Sequence, residues 1–305
     1  MTFGILKAFA ATFAYLAQHA ALLLKAMWLP ALVLAGLQLY AAPALLGAIA
    51  ELAVLGPNPD PEAAAAAASR LGGSGAYYLL AGVVFFPMLT VASLIHIMRG
   101  EETRLPLYFN FGADELRILG ANAVFNMMVF VIAVVGDLTV GVLVAVVGLL
   151  GAAAASALKS AGELGVNLGA AWFQARLSTL FPASMATRTL GLGAAWDATR
   201  GSSLRVVAFW LLIGAVIVPA VIVFTLPLTA QFAGDLAALK PGDNAAIAAL
   251  LNKIAAAMAP SSPQFWLIAA GFYAMTLLVN AIVNVAAAVA WRYLTMANTS
   301  DGDGE

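Results

Sequence analysis

Asn280 and Asn284 stand four residues apart in the apolar run VNAIVNV, and Asn122 and Asn126 repeat that spacing in ANAVFN. Residues i and i+4 share one helix face, so each pair presents two amides, one above the other. An amide placed in hydrocarbon must find a hydrogen-bond partner. Two chemistries follow. The pairs can join two helices through interhelical hydrogen bonds, each contributing about 0.6–2 kcal/mol. Alternatively they line a polar cavity for a substrate or a headgroup. Counting from Arg117, Asn122 and Asn126 lie about 8 and 14 Å along a helix; counting back from Arg292, Asn284 and Asn280 lie about 12 and 18 Å along one. The depths overlap, which sets the third and sixth predicted spans face to face.

Other groups with chemical potential are few. His19 and His96 are the two imidazoles, and such a pair could bind a metal or move a proton. No further acid or imidazole has ligand spacing with either, so each reads as a residue of a wet helix boundary. Asp137 follows Gly136 and reads as the cap of a tight turn; inside a span it would be a functional suspect. There is no cysteine, so disulfides, thiol nucleophiles and thiolate metal sites are excluded. G-x-S-x-G, H-E-x-x-H and P-loop patterns are absent. The expectation is therefore a non-enzyme that calls for no cofactor and no metal. Arg176, Arg188, Arg200 and Arg205 surround a stretch of mixed polarity and are candidate contacts to anionic headgroups, each contributing about 1 kcal/mol near such a surface. The segment 99–117 balances Glu101, Glu102, Asp114 and Glu115 against Arg99, Arg104 and Arg117. It is either a docking surface for a protein partner or a solvated connector.

The elements that position these residues follow from composition. Of 305 residues 63% are hydrophobic and only 10% charged, with mean hydropathy +0.97. Soluble domains carry about 25% charged residues. Lipid is the solvent this chain needs, and membrane lipids are its first expected partners. A net charge of −1 gives no general attraction to nucleic acid. The fold class is an all-α integral membrane protein, residues 1–305 forming one polytopic domain. An amphipathic stretch at 1–19, with Phe3, Leu6, Phe9, Phe13 and Leu16 at helical spacing, predicts an interfacial helix. Apolar runs predict six transmembrane helices at about 20–41, 75–98, 116–135, 138–158, 206–230 and 264–291. Gly136-Asp137 alone separates the third from the fourth. Residues 292–305 are an acidic tail.

Lysine and arginine set the orientation. With both termini cytoplasmic, eleven basic residues face inward, Lys159 among them, and Arg70, Lys240 and Lys253 face outward. Two capped, alanine-rich helices are expected on the outer face. One is bracketed by Asp60-Pro61-Glu62 and Gly72-Gly73, and the other follows Lys240-Pro241-Gly242-Asp243. On the inner face, Leu168, Trp172 or Phe173, Leu177 and Leu180 share a side, predicting a second interfacial helix that Pro182 stops. The two ends of the chain, about 3–99 and 170–292, share one plan of lead-in, span, outer loop and returning span. That plan suggests a repeat of helical hairpins about an axis along the membrane normal, or simply the sameness of alanine-rich membrane segments.

The stretch ARLSTLFPASMATRTLGLGAAWDATRGSSLRVVAFW, through Arg176, Pro182, Ala195-Trp196 and Arg200-Gly201, resembles a broad group of bacterial inner-membrane proteins. These are six-helix domains, found alone or fused to glycerophosphodiester phosphodiesterases as their membrane part. HIMRGEETRLPLYFNFGADELRILG is similar to the loop between the second and third spans of that group. The resemblance implies a fold and a multi-pass location in the bacterial inner membrane. It carries over no hydrolase activity, because the soluble phosphodiesterase domain has no counterpart in this sequence. The functional expectation is a non-enzymatic membrane protein that assembles, scaffolds or organises envelope components. The alternative is a small transporter or lipid-handling protein with a polar path near the four asparagines.

Overall fold

The computed structural model describes residues 3–55, 60–100, 111–148, 151–240 and 242–302. The described residues are almost entirely helical, and five helices among them are long and apolar enough to cross a membrane. This is the architecture of a multi-pass membrane protein.

Helix α1 (Ile5–Val54) runs for 50 residues, about 75 Å. It carries Pro30 and Pro43 internally, as helices in lipid can when neighbours satisfy the freed carbonyls. Its one break in helical geometry is His19, at φ −116° and ψ 15°. The expected interfacial helix and first span are thus one element bent at the anticipated boundary. The leading segment is not merely a surface float: Phe3 and Ala8 are buried, and Phe3 meets Phe209 edge-on at 5.9 Å.

Helix α2 (Pro61–Arg99) starts where the sequence signals a start, with Pro61 at its first position and Glu62 in its first turn. It does not stop at Gly72-Gly73. The alanine run on one side and the apolar span on the other carry the helix through both glycines, each of which costs only about 1 kcal/mol. It ends at Gly100, whose left-handed backbone (φ 67°) lets its N–H donate to the His96 carbonyl at 2.8 Å.

Helix α3 (Ala113–Gly148) overturns the predicted hairpin. Gly136 and Asp137 lie inside it, so there is no turn there and no separate span over 138–158. Helix α4 (Ala152–Arg176) instead runs antiparallel along α3. A Cβ on Gly136 would lie 2.7 Å from Val166, and one on Gly162 would lie 2.7 Å from Val140, which fixes the register. The valines on both sides supply helix-compatible apolar contacts, and one glycine is too weak a breaker to stop them. Asp137 therefore sits mid-helix on the exposed side, and Lys159 moves to the far end of the hairpin.

Pro182 does not end a helix either. It occupies the first turn of α5 (Leu180–Thr187), where a missing N–H costs nothing. Helix α6 (Leu192–Ala198) follows, entered through Gly191 at φ 71°. Helix α7 (Ser203–Thr229) matches the expected fifth span. A 3-10 turn (Ala230–Phe232) and α8 (Ala233–Ala238) lead to α9 (Asn244–Ala257). The predicted cap of α9 is present: the Asp243 carboxylate accepts from the Ala246 N–H at 2.9 Å. Helix α10 (Phe265–Gly302) continues past the expected end at 291, so the first part of the tail is helical.

The core lies among α1, α2, α7 and α10, where Met27, Leu89, Leu94, Ile97, Phe209, Ile213 and Leu294 are fully buried. Alanines 286, 287, 288 and 290 on α10 are buried too, and small residues let membrane helices approach closely. At Gly271 the backbone of α7 comes close: a Cβ would stand 2.7 Å from the Phe224 carbonyl oxygen. The start of α1, the ends of α2 and α10, and the starts of α3 and α7 gather at one end, together with Arg99, Arg117, Arg176 and Arg292. At the other end α9 packs on α1, Arg70 pairs with Glu51 at 2.5 Å and Lys253 pairs with Asp235 at 2.8 Å.

Candidate binding cavity

A cavity of about 470 Å³ opens between α4, α7 and α10 near the arginine-rich end. That volume falls in the usual range for small-molecule sites, about 300–1,000 Å³. Its wall is mostly alanine, leucine and phenylalanine. The polar groups on it are Asn284, Trp210, Gln174, Asn167 and Ser178.

Asn284 decides the character of the site. It is 3% exposed, and its amide nitrogen has no hydrogen-bond partner. A buried unsatisfied polar group costs about 1–3 kcal/mol. The indole nitrogen of Trp210 is also buried without a partner. Asn167 and Gln174, seven residues apart on one side of α4, are exposed and lie towards the open side. Sequence reasoning identified neither amide, nor Trp210, as a site residue. The seven-residue spacing of two amides was the available signal.

The four expected asparagines do not form one interhelical ladder. Asn126 donates to the backbone oxygen (2.8 Å) and the side-chain oxygen (2.9 Å) of Asn122, so that pair satisfies itself within α3. Asn280 donates back to the Thr276 carbonyl at 2.7 Å. Helix α10 packs against α1, α2 and α7, while α3 packs mainly on α4, α2 and α5. Similar distance from the flanking arginines does not specify azimuth around the bundle. Of the four, Asn284 alone lines the cavity.

The candidate headgroup arginines divide. Arg176 is 8% exposed and is clamped. Its Nε donates to Thr199 Oγ1 at 3.1 Å and its terminal nitrogen to the Trp196 carbonyl at 2.8 Å. Its guanidinium carbon lies 3.9 Å from the Trp196 ring centre and 5.5 Å from that of Trp172. It ties the end of α4 to α6 and is not presented to a membrane surface. Arg188, Arg200 and Arg205 are exposed, and Arg188 adopts the left-handed conformation (φ 55°) that closes α5.

The proposed docking loop falls largely outside the described residues, at 101–110, but its flanks are ordered by charge. Arg99 makes two hydrogen bonds to the Asp114 carboxylate, at 2.6 and 2.9 Å, and Arg117 bonds the same carboxylate. Asp114 precedes the apolar part of α3, and its hydrogen bond from Arg99 holds its carboxyl below the usual carboxylate range. Glu115 is buried and accepts from the Gly112 N–H at 2.8 Å, a capping-box contact.

His19 and His96, expected at separate helix boundaries, come together with ring centres 5.1 Å apart. Tyr15 stacks on His19 at 4.2 Å, and His19 Nδ1 donates to the Tyr15 carbonyl at 3.1 Å. The bend at His19 in α1 is what aims this ring at α2. Among the described residues, no group of three metal-ligating side chains gathers there or elsewhere.

Comparison of the chain with protein-family models, with curated proteins and with solved structures returns no match.

Proposed function

We propose that this protein is a non-enzymatic, membrane-embedded binding protein that holds an amphipathic molecule of the bilayer in the cavity between α4, α7 and α10. The observation that carries this reading is the buried, unpartnered amide nitrogen of Asn284 on a wall that is mostly apolar and uncharged. Trp210 lies about 8 Å along α7 from Arg205, and Asn284 about 12 Å along α10 from Arg292. If those arginines mark the water boundary, the cavity lies just below the headgroup layer, where an amphipathic molecule already resides. The orientation that fits the basic residues places the arginine-rich end in the cytoplasm. The resemblance to bacterial six-helix membrane domains supports an inner-membrane location. The hairpins α1–α2 and α7–α10 run in the same sense, as an internal repeat would.

A second reading, assembly of other envelope components, has its own support. The outer faces of α3 and α4 expose Phe130, Val131, Val135, Leu138, Val142 and Leu168. Such a face suits a helical membrane partner as well as it suits lipid.

Native mass spectrometry of the full chain, extracted with its surrounding membrane, tests the two. The binding reading expects one retained lipid-sized molecule, lost on Asn284→Leu while the protein remains folded. A protein partner at fixed stoichiometry, with no retained small molecule, would replace it with the assembly reading.

A further inference from the structure

We infer that the cavity recognises the carbonyl oxygens of an uncharged acyl-ester linkage, rather than a charged headgroup or bare hydrocarbon. This deepens the binding reading and rests on it. The argument begins with what the cavity lacks: no described residue on its wall carries a charge. Arg176, next in sequence to the wall residue Ala175, already spends its guanidinium on Thr199, the Trp196 carbonyl and the Trp196 ring. An anionic group placed in the cavity would lose its hydration and gain no counter-charge, which is strongly unfavourable.

The second step is what the wall offers. An indole nitrogen can only donate a hydrogen bond, so the unpartnered Trp210 asks for an acceptor. The side-chain nitrogen of Asn284 is likewise a buried donor without a partner. Two orphan donors against an alanine-rich apolar wall fit an acceptor flanked by alkyl chains. An ester has that chemistry: carbonyl oxygens that accept, no charge, and acyl chains that fill the apolar volume. Depth agrees, since ester linkages lie between the headgroups and the hydrocarbon, the level at which these residues are proposed to sit. Gln174 and Asn167 at the open side would then meet the more polar part of the same molecule.

The test compares two probes on the wild-type full chain by native mass spectrometry titration. One is diacylglycerol, an uncharged lipid with ester-linked chains. The other is its dialkyl-ether counterpart with the same chain lengths, which lacks the carbonyls. The expected result is about tenfold tighter binding of the ester form, since each hydrogen bond contributes roughly two- to twelvefold. Trp210→Phe keeps an aromatic ring and removes the N–H, and should reduce the preference to about threefold or less. Equal binding of the two probes would overturn the inference while leaving the binding reading in place. An unchanged preference in Trp210→Phe would also overturn it. Binding of neither probe would overturn both readings. The wild-type comparison decides the matter even if the variant does not fold.

Discussion

The bundle of α1, α2, α7 and α10 and the hairpin of α3 and α4 are built from similarly apolar sequence, yet they use it in opposite ways. The bundle buries Phe209, Met27 and the alanines of α10 and leaves Asn284 unsatisfied beside a cavity. The hairpin buries little beyond Glu115, Ile118, Ala121, Ala175 and Arg176 at its root, and Asn122 and Asn126 satisfy each other in the open. The same amide spacing is thus a local hydrogen-bond clip on one helix and part of a candidate binding site on another. Spacing alone says that two amides share a face. Packing says which face.

The contrast can be broken most severely inside the bundle. Gly271→Val should push α10 from α7, because the Phe224 carbonyl leaves no room for a Cβ and backbone cannot rotate away as a side chain can. Overpacking of this kind costs about 1–3 kcal/mol or more. The outcome to look for is a lower thermal midpoint in detergent and loss of bound lipid. Wild-type behaviour would mean that the two helices are not held at this distance.

A smaller effect is expected at the joint between the two regions. Asp114→Asn leaves Arg99 and Arg117 without their shared carboxylate and should cost about 1–3 kcal/mol, between the values for exposed and buried pairs. The same link gives a pH dependence. The Asp114 carboxyl is held below its ordinary value of 3.8, so the stability it contributes is present above that value and is lost as pH falls through the folded value. Thermal midpoints of wild type and variant should differ near pH 6 and converge as the carboxyl protonates. A constant difference across that range would place the stabilisation elsewhere.

The least effect is expected on the hairpin itself. Replacing both Asn122 and Asn126 with leucine removes a clip whose hydrogen bonds stay within α3, so stability should stay within about 0.5 kcal/mol. Lipid retention should be unaltered, in contrast to Asn284→Leu. A large loss would show that the hairpin's amides meet a partner from outside the chain.

Much of the fold was legible because hydropathy reports directly on burial in lipid. The boundaries near Arg99, Ser203 and Asp243 all appeared as proline, glycine, acid or arginine signals and correspond to helix ends. Two failures share one cause. Gly72-Gly73 and Gly136-Asp137 are local breakers, each with an energetic penalty of a few kcal/mol at most, and the helices on either side outweigh them; Pro182 failed differently, by falling in a helix's first turn, where it is tolerated. Of the candidate site, only Asn284 was readable as a buried amide. Trp210 joins it through the packing of α7 on α10, and Gln174 through the return of α4 along the bundle, long-range contacts that no local spacing encodes. The meeting of His19 with His96 was hidden for the same reason.

The length of α3 has a mechanical consequence. At 36 residues it spans about 54 Å, against a hydrocarbon layer of about 30 Å. So long an apolar rod must lean, thicken the bilayer around it, or leave its tip outside the hydrocarbon. Its partner α4 forms one wall of the cavity, and the hairpin is anchored at its root. A change in membrane thickness would therefore tilt the free tip of the hairpin most and its root, beside the cavity, least.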